Sequence, residues 1–166
     1  MLDREELTAR RLKSLLNYDP HTGNFTWRIT RGGKLAGSQA GSPHIEGYVC
    51  IRVDKQLHLA HRLAWLYTEG VWPSQLIDHK DGVRSNNRRE NLRDASRRVN
   101  QENRHKARKD SASGLLGVRW DPERSLWRSR IKVNGKEVHL GRFETEQEAV
   151  TAHLKAKRRL HEGCTI

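Results

Sequence analysis

The chain has 166 residues, of which 34% are hydrophobic, with a formal net charge of +12 and a pI of about 10.3. That length gives one medium domain or two small ones, and the low apolar content excludes a single large core in favour of small domains with extensive polar surface. Residues 1–100 and 101–166 each carry half of the net charge, so a polyanion could be gripped along the whole molecule, and nucleic acid is the natural partner. No apolar run approaches the ~20 residues that span a bilayer. The N-terminal MLDREELTARR lacks the apolar core of a signal peptide. These features predict a cytoplasmic protein with no membrane partner and no obligate protein partner evident. Cys50 and Cys164 lie far apart, and His21, His44, His58 and His61 lack finger spacing, which predicts free thiols and no structural zinc.

Residues 4–17 read as a short amphipathic helix with Leu7, Leu12, Leu15 and Leu16 on one stripe and Arg10, Arg11 and Lys13 largely outside it. Asp19–Gly23 is a turn, and Phe25, Trp27 and Ile29 alternate as a strand with one buried face. The Gly-rich residues 31–47 read as a connector. Tyr48–Val53 is a strand, with Gln56–Ala60 as its hairpin partner across Asp54-Lys55. His61–Glu69 is a helix, stopped by Gly70 and barred from continuing by Pro73.

Residues 76–104, LIDHKDGVRSNNRRENLRDASRRVNQENR, are polar and crowded with Asn, Asp, His and Arg. Leu76 and Ile77 lead into Asp78-His79 as a short strand. Asp81-Gly82 is a turn signal, because Gly tolerates positive φ. Val83–Glu90 is a polar loop, and Asn91-Leu92-Arg93 is a second short strand with Leu92 as its apolar anchor. Ser96 is a good N-cap for a helix carrying Val99, Asn100 and Asn103. Phosphodiester hydrolysis needs a group that takes a proton from water and a cation that stabilises the charge growing on the phosphate. His79 suits the first role because histidine titrates near neutrality. Asp78 and Asn100 offer the hard oxygens that Mg²⁺ accepts in small number. One tension is visible: strand neighbours point to opposite faces, so Asp78 and His79 can serve one phosphate only where the strand twists or ends.

Asp78-His79-x-Asp81-Gly82, Asn86-Asn87-Arg88, Asn91-Leu92-Arg93 and Asn100 together resemble the HNH endonuclease motif of phage and intron-encoded homing enzymes. The resemblance implies a ββα-metal finger over about 76–104. It implies His79 as general base, Asp78 and Asn100 as ligands of Mg²⁺ or Mn²⁺, and Asn91 as the catalytic-motif residue that holds loop and base in place. The third motif position is Asn rather than His, which matches a subclass with one catalytic metal that includes both nicking and double-strand-cutting enzymes. Phage members commonly carry a segment similar to Ala60–Trp65, which implies that His61 and Arg62 lie near the active site and touch phosphate. A helix-orienting role for His61 is the alternative, and His61 stays outside the catalytic set. Arg62 and Arg88 join the expected DNA contacts.

From Gln101 to Ser113 apolar residues almost vanish, which reads as a helix end followed by a basic linker over 105–113, with Lys106, Arg108 and Lys109 able to track a backbone groove. Residues 114–166 change character. Leu116, Val118 and Trp120 alternate in one strand. Trp127, Ser129, Ile131 and Val133 alternate in a second, with Arg128, Arg130 and Lys132 on its other face. Asn134-Gly135 is a hairpin signal into a third strand, Glu137–Leu140, where Val138 and Leu140 face the same way as Ile131. Thr145-x-x-Glu148 is a capping box opening a helix to about Leu160. Arg119, Arg128, Arg130, Lys132 and His139 then project from the exposed face of a three-stranded antiparallel sheet packed on one helix. Such a face can enter a major groove and read guanine with Arg.

This half resembles the AP2 DNA-binding domain through Gly117–Trp120, Trp127–Lys132, His139–Phe143 and the helix over 146–156. The resemblance implies DNA reading by Arg119, Arg130 and Lys132, and a core position for Trp127. Arg130 stands where a Glu is common and Glu137 where an Arg is common, so no target sequence carries over. The fold expected is α+β: an HNH nuclease domain over 1–104, the linker, and an AP2-like domain over 114–166. The expected function is a metal-dependent endonuclease acting on double-stranded DNA, phage-encoded and working in a bacterial cell. The alternatives are a DNA-binding regulator on an inert HNH scaffold and an RNA-binding protein that helps an intron splice.

Overall fold

The computed structural model describes residues 7–107 and 111–166, and the chain divides into two compact units, Met1–Ala95 and Ser96–Ile166. The protein is mixed α+β. Among the described residues no helix is long and apolar enough to cross a membrane. Residues 4–6 of the expected first helix, and Arg108 and Lys109 of the expected linker, lie outside the described residues.

In the first unit the Thr8 side chain accepts from the Arg11 amide and starts α1 (Ala9–Leu15), satisfying one of the orphan N–H groups of a helix start. The helix is shorter than its leucine spacing predicts. Leu16 turns extended and opens β1 (Leu16–Tyr18), which pairs with β2 (Phe25–Trp27) across the Asp19–Gly23 turn. All four leucines are buried, so the stripe marks the core correctly although Leu16 reaches it from a strand. Strand β2 stops at Trp27, and Ile29, expected on its buried face, is exposed. Residues 31–47 hold more than a connector: β3 (Gln39–Ala40) pairs with β2, and β4 (Ser42–Pro43) pairs with β5 (Val49–Val53). Two residues are too few for an alternation pattern to register in sequence.

Strand β5 returns as β6 (Gln56–Leu59) through Asp54 and Lys55, both at positive φ (46° and 68°), which suits a two-residue hairpin. Helix α2 (Ala60–Glu69) follows at once and ends at Gly70, in the left-handed conformation. Leu12, Leu15, Leu16, Phe25, Ile51 and Leu63 share one core, and Leu92 joins it from the β7 (Leu76–His79) and β8 (Leu92–Ala95) hairpin. Burying one leucine stabilises by about 1.5–3 kcal/mol, so Leu92 ties an otherwise polar hairpin to the core. The second strand was expected over Asn91–Arg93. Asn91 instead closes a 3₁₀ turn (Arg89–Asn91), and β8 begins one residue later.

In the second unit Ser96 caps α3 (Arg97–Glu102), its hydroxyl accepting from the Val99 amide. Three antiparallel strands follow in spatial order β11–β10–β9: β9 (Val118–Asp121), β10 (Leu126–Val133) and β11 (Lys136–Phe143). Both hydrogen bonds of the Thr145–Glu148 capping box are present at the head of α4 (Glu146–Leu160), and Ala149, His153, Ala156 and Lys157 are its buried positions. Ser129 and Ile131 are buried as their alternation predicts. Strand β11 runs three residues beyond its expected end. Its register shifts opposite Ser129 and Arg130, so Leu140 has no partner in the ladder. Trp127, expected in the core, is half-buried with its ring 5.4 Å from that of Trp120. Val138 is 40% exposed although it pairs with Ile131.

A buried histidine, an acid and a loop of amides

Strand β7 ends at His79, and both Asp78 and His79 are 5% exposed. Asp78 lies opposite Arg93 in the ladder, and Arg93 Nε and Nη2 both donate to its Oδ2 at 2.9 and 2.8 Å. His79 Nε2 lies 3.3 Å from Asn87 Oδ1, so the tautomer with a proton on Nε2 donates to that amide oxygen and leaves Nδ1 as the basic nitrogen. Burial lowers the His79 pKa below the ordinary histidine value, against smaller opposing effects from the Asn87 bond and from Asp81 and Asp78. The imidazole is therefore neutral at neutral pH, the form that can accept a proton.

The loop between the two strands is held by amides. Asn91 Nδ2 donates to Asp81 Oδ1 (2.9 Å) and to the Asn86 carbonyl (2.8 Å), and Asn91 Oδ1 accepts from the Asp81 amide (3.0 Å). Asn86 Nδ2 donates to Asp81 Oδ2 at 2.6 Å. Burial works to raise the Asp81 pKa, but the bonds from Val83, Asn86 and Asn91 together bring it below the ordinary carboxylate value. Asn91 thus fixes the turn after His79.

The Asp19–Gly23 turn clamps the same loop from outside. Tyr18 Oη donates to the Asn87 carbonyl at 2.7 Å, and the Arg89 amide donates to the Pro20 carbonyl at 3.0 Å. Gly23, at φ 77°, approaches so closely that a Cβ there would lie 2.5 Å from Arg88 N. Only glycine fits both demands. Burial pushes the Tyr18 pKa up to about 12, so its hydroxyl remains a donor. The N-terminal hairpin therefore sets where Asn87, and through it His79, sits.

His61 packs against His79. It lies in the first turn of α2, 5% exposed, with its ring 5.0 Å from that of His79 at 83° and 5.2 Å from that of Tyr48. Leu59, at the helix N-cap, makes no side-chain cap bond, and His61 Nδ1 is buried with no hydrogen-bond partner among the described residues. Burial, helped by His79 and Arg62, pushes the His61 pKa down to about 3. Arg62 stacks over Trp72 at 5.6 Å, and Arg88 is exposed on the loop next to Asn87.

The second unit holds the remaining expected site residues. Asn100 is half-buried on α3. Arg119, Arg128 and Arg142 form one cross-strand row on the sheet, followed by Arg130 beside His139 and Lys132 beside Glu137. Arg142 was not foreseen, because strict alternation from His139 places it on the opposite face. The irregular register at Ser129/Arg130 shifts that parity and brings it onto the basic face. Glu137 sits within the row and accepts from Arg128 (3.0 Å) and Arg130 (2.8 Å).

A family model described as HNH endonuclease matches residues 58–102, from β6 to the end of α3, and so spans His61, Asp78, His79, Asn91 and Asn100. Protein 3.8 of Escherichia phage T7 is 35% identical over 102 residues, covering 61% of this chain and 83% of that protein. A solved structure of the HNH homing endonuclease I-HmuI, described for its binding and cleavage of DNA, is 23% identical, with a TM-score of 0.44 over 90% of this chain and 88% of that one.

Proposed function

The chain belongs to the HNH endonuclease family, and on that premise we propose that it is a divalent-metal-dependent DNA endonuclease whose general base is His79. The observation that carries this is the buried His79, held by Asn87 and adjacent to a buried aspartate. In this reading His79 Nδ1 takes a proton from the attacking water, while Asn87 keeps Nε2 protonated and the ring oriented. Asn91 is a positioning residue, keeping the 81–86 turn folded against the end of β7.

Asp78 and Asn100 are the residues that would hold the metal ion. Among the described residues no group of three or more His, Cys, Asp or Glu could hold a metal. One carboxylate and one amide oxygen fit a hard cation such as Mg²⁺ or Mn²⁺, which retains several waters. When bound, the ion stabilises the charge growing on the scissile phosphate and the leaving 3′ oxygen. Arg93 holds the Asp78 carboxylate in one orientation.

Targeting is assigned, again as a proposal, to an AP2-like reading of the sheet: Arg119, Arg128, Arg130, Lys132 and His139 face duplex DNA, with Arg62 and Arg88 on phosphates. The ion pair of Arg130 with Glu137 supports one element of this, since these are the two positions at which the chain departs from the AP2 pattern.

The test is cleavage of supercoiled DNA carrying many candidate sites, with Mg²⁺, with Mn²⁺ and with EDTA. Wild type should give nicked or linear product with metal only, and His79→Ala and Asp78→Asn should give none. Product formed equally in EDTA, or by His79→Ala at the wild-type rate, would sink the assignment.

A further inference from the structure

The second unit contains a groove of about 740 Å³, within the range of sites that enclose a nucleotide-sized group. One wall is α3, through Arg97, Gln101 and the adjoining Arg104. The other is the β10–β11 hairpin, through Arg130, Lys132 and the Asn134-Gly135 tip. The floor is α4, through His153 and Lys157, with His161 just past its end.

The charges of the groove do not cancel. Its two acids are engaged: Glu102 accepts from Arg98 (2.9 Å) and from the Gly163 amide (3.1 Å), and Glu137 accepts from Arg128 and Arg130. Arg97, Arg104 and Lys132 stand exposed on opposite walls. Lys157, 2% exposed, donates to the Arg104 carbonyl. An ammonium has three N–H groups, and burying it costs free energy unless they are paired. His161 donates from Nε2 to the Lys132 carbonyl at 2.9 Å, and its Nδ1 is buried with no partner among the described residues. Two basic walls over a floor that buries the Lys157 ammonium match a ligand that is anionic and rich in acceptors.

The groove also has a direction. It runs along the helix that carries Asn100, whose chain neighbour Gln101 lines it, and α3 is fixed in place by the C-terminal segment. Arg98 pairs with Glu162 at 2.6 Å, Thr165 Oγ1 donates to Asn103 Oδ1, and Gly163 lies so close that a Cβ there would be 2.2 Å from the Val99 carbonyl oxygen.

We propose that this groove holds one strand of the substrate DNA by its phosphodiester backbone, with Arg97, Arg104 and Lys132 on successive phosphates and Lys157 beneath them. The inference deepens the nuclease reading and rests on it for the identity of the polyanion. It assigns α3 a second task besides presenting Asn100, that of leading the strand past that residue.

The experiment compares two charge-matched variants of the full chain, both from exposed positions. Arg97→Gln/Arg104→Gln takes two charges from the α3 wall, and Lys155→Gln/Arg159→Gln takes two from a part of α4 outside the groove. Binding to labelled duplex DNA, single-stranded DNA and an RNA hairpin is measured in EDTA across a salt series. Each phosphate contact contributes about 0.9 to the slope of log affinity against log salt for duplex DNA. The groove variant should lose nearly two units of slope and about tenfold or more in DNA affinity at moderate salt, with the other variant near wild type. Equal losses in both would reduce the groove to diffuse charge and overturn the proposal, as would a loss confined to RNA. Because EDTA binding is read apart from cleavage, a protein that never cuts would sink the nuclease reading while leaving this result standing.

Discussion

Asp78, His79, Asn87 and Asn91 of the first unit are buried polar side chains, whereas β9–β11 of the second unit spread theirs across an exposed face. In the loop, Asn86, Asn87 and Asn91 satisfy Asp81, His79 and each other's backbone, and a desolvated imidazole stays neutral. On the sheet, six basic residues line one face; Arg128 and Arg130 pair with Glu137 and Arg142 pairs with Asp121, and these guanidinium groups are open to solvent, where such pairs stabilise little. The first arrangement fixes one nitrogen in one orientation, as proton transfer demands. The second provides charge that can adjust to a polyanion. Substitutions in the two regions should therefore fail in different ways.

The sharpest contrast is His79→Ala against Arg119→Ala. Loss of the base should cut the single-turnover cleavage rate by about 10²–10⁴-fold while DNA affinity stays within a few-fold. Arg119→Ala should weaken binding and lower the salt slope by about one, with the rate at saturating enzyme little changed. A His79 variant that loses affinity but keeps its saturated rate would erase the division between the two regions.

Asn91→Ala comes next. It leaves the Asp81 amide and the Asn86 carbonyl without their side-chain partner in a partly buried turn, which costs about 1–3 kcal/mol by the usual penalty for unmade bonds. Thermal unfolding should fall by several degrees and the cleavage rate should fall with it, since His79 loses the turn that follows it. An unchanged melting temperature together with lost cleavage would make Asn91 a direct participant rather than a positioning residue.

How far each region could be read from sequence follows from the same contrast. Asp78-His79, Gly82 and the Ser96 cap are local signals, and each lies where its chemistry predicts. The Thr145–Glu148 capping box and the Asn134-Gly135 hairpin are equally local. His61 is eighteen positions from His79, and only the packing of α2 on the β7 end brings their rings together. The role of Asn87 depends on Tyr18 and Gly23, which come from a hairpin that sequence spacing does not connect to the motif. Arg142 was hidden by one irregular register step, which no alternation rule anticipates.

His61 makes the buried side of the contrast sensitive to pH. Its folded pKa of about 3 lies below the unfolded histidine value near 6.5, so the unfolded chain binds a proton that the folded chain refuses. Stability should thus be fully expressed above about pH 6.5 and decline as pH falls toward 3. His79, His58 and His153 are shifted in the same direction, each first by burial. Between pH 6.5 and 4 this decline belongs to histidines, because the lowered carboxylates such as Asp54, at about 2, lose their contribution only at lower pH. His61→Gln should flatten that part of the profile in urea unfolding. An identical slope in the variant would show that His61 is protonated in the folded protein or readily reached by water.

Glu137→Gln is the smallest change and acts on the exposed side. The carboxylate is held below the ordinary glutamate value first by the hydrogen bond from Arg130, with Arg128 adding to the effect, and it is fully ionised at neutral pH. It therefore repels DNA and occupies two of the guanidinium groups assigned to it. Removing its charge should leave the fold intact, because the pair is solvent-exposed, and should raise duplex affinity by a few-fold with a steeper salt dependence. The direction is what matters: a general loss of affinity would mean that Glu137 orients Arg128 and Arg130 for contact. A loss confined to particular sequences would place the carboxylate itself against a base edge, since a cytosine amino group is the donor that an acid reads in the major groove.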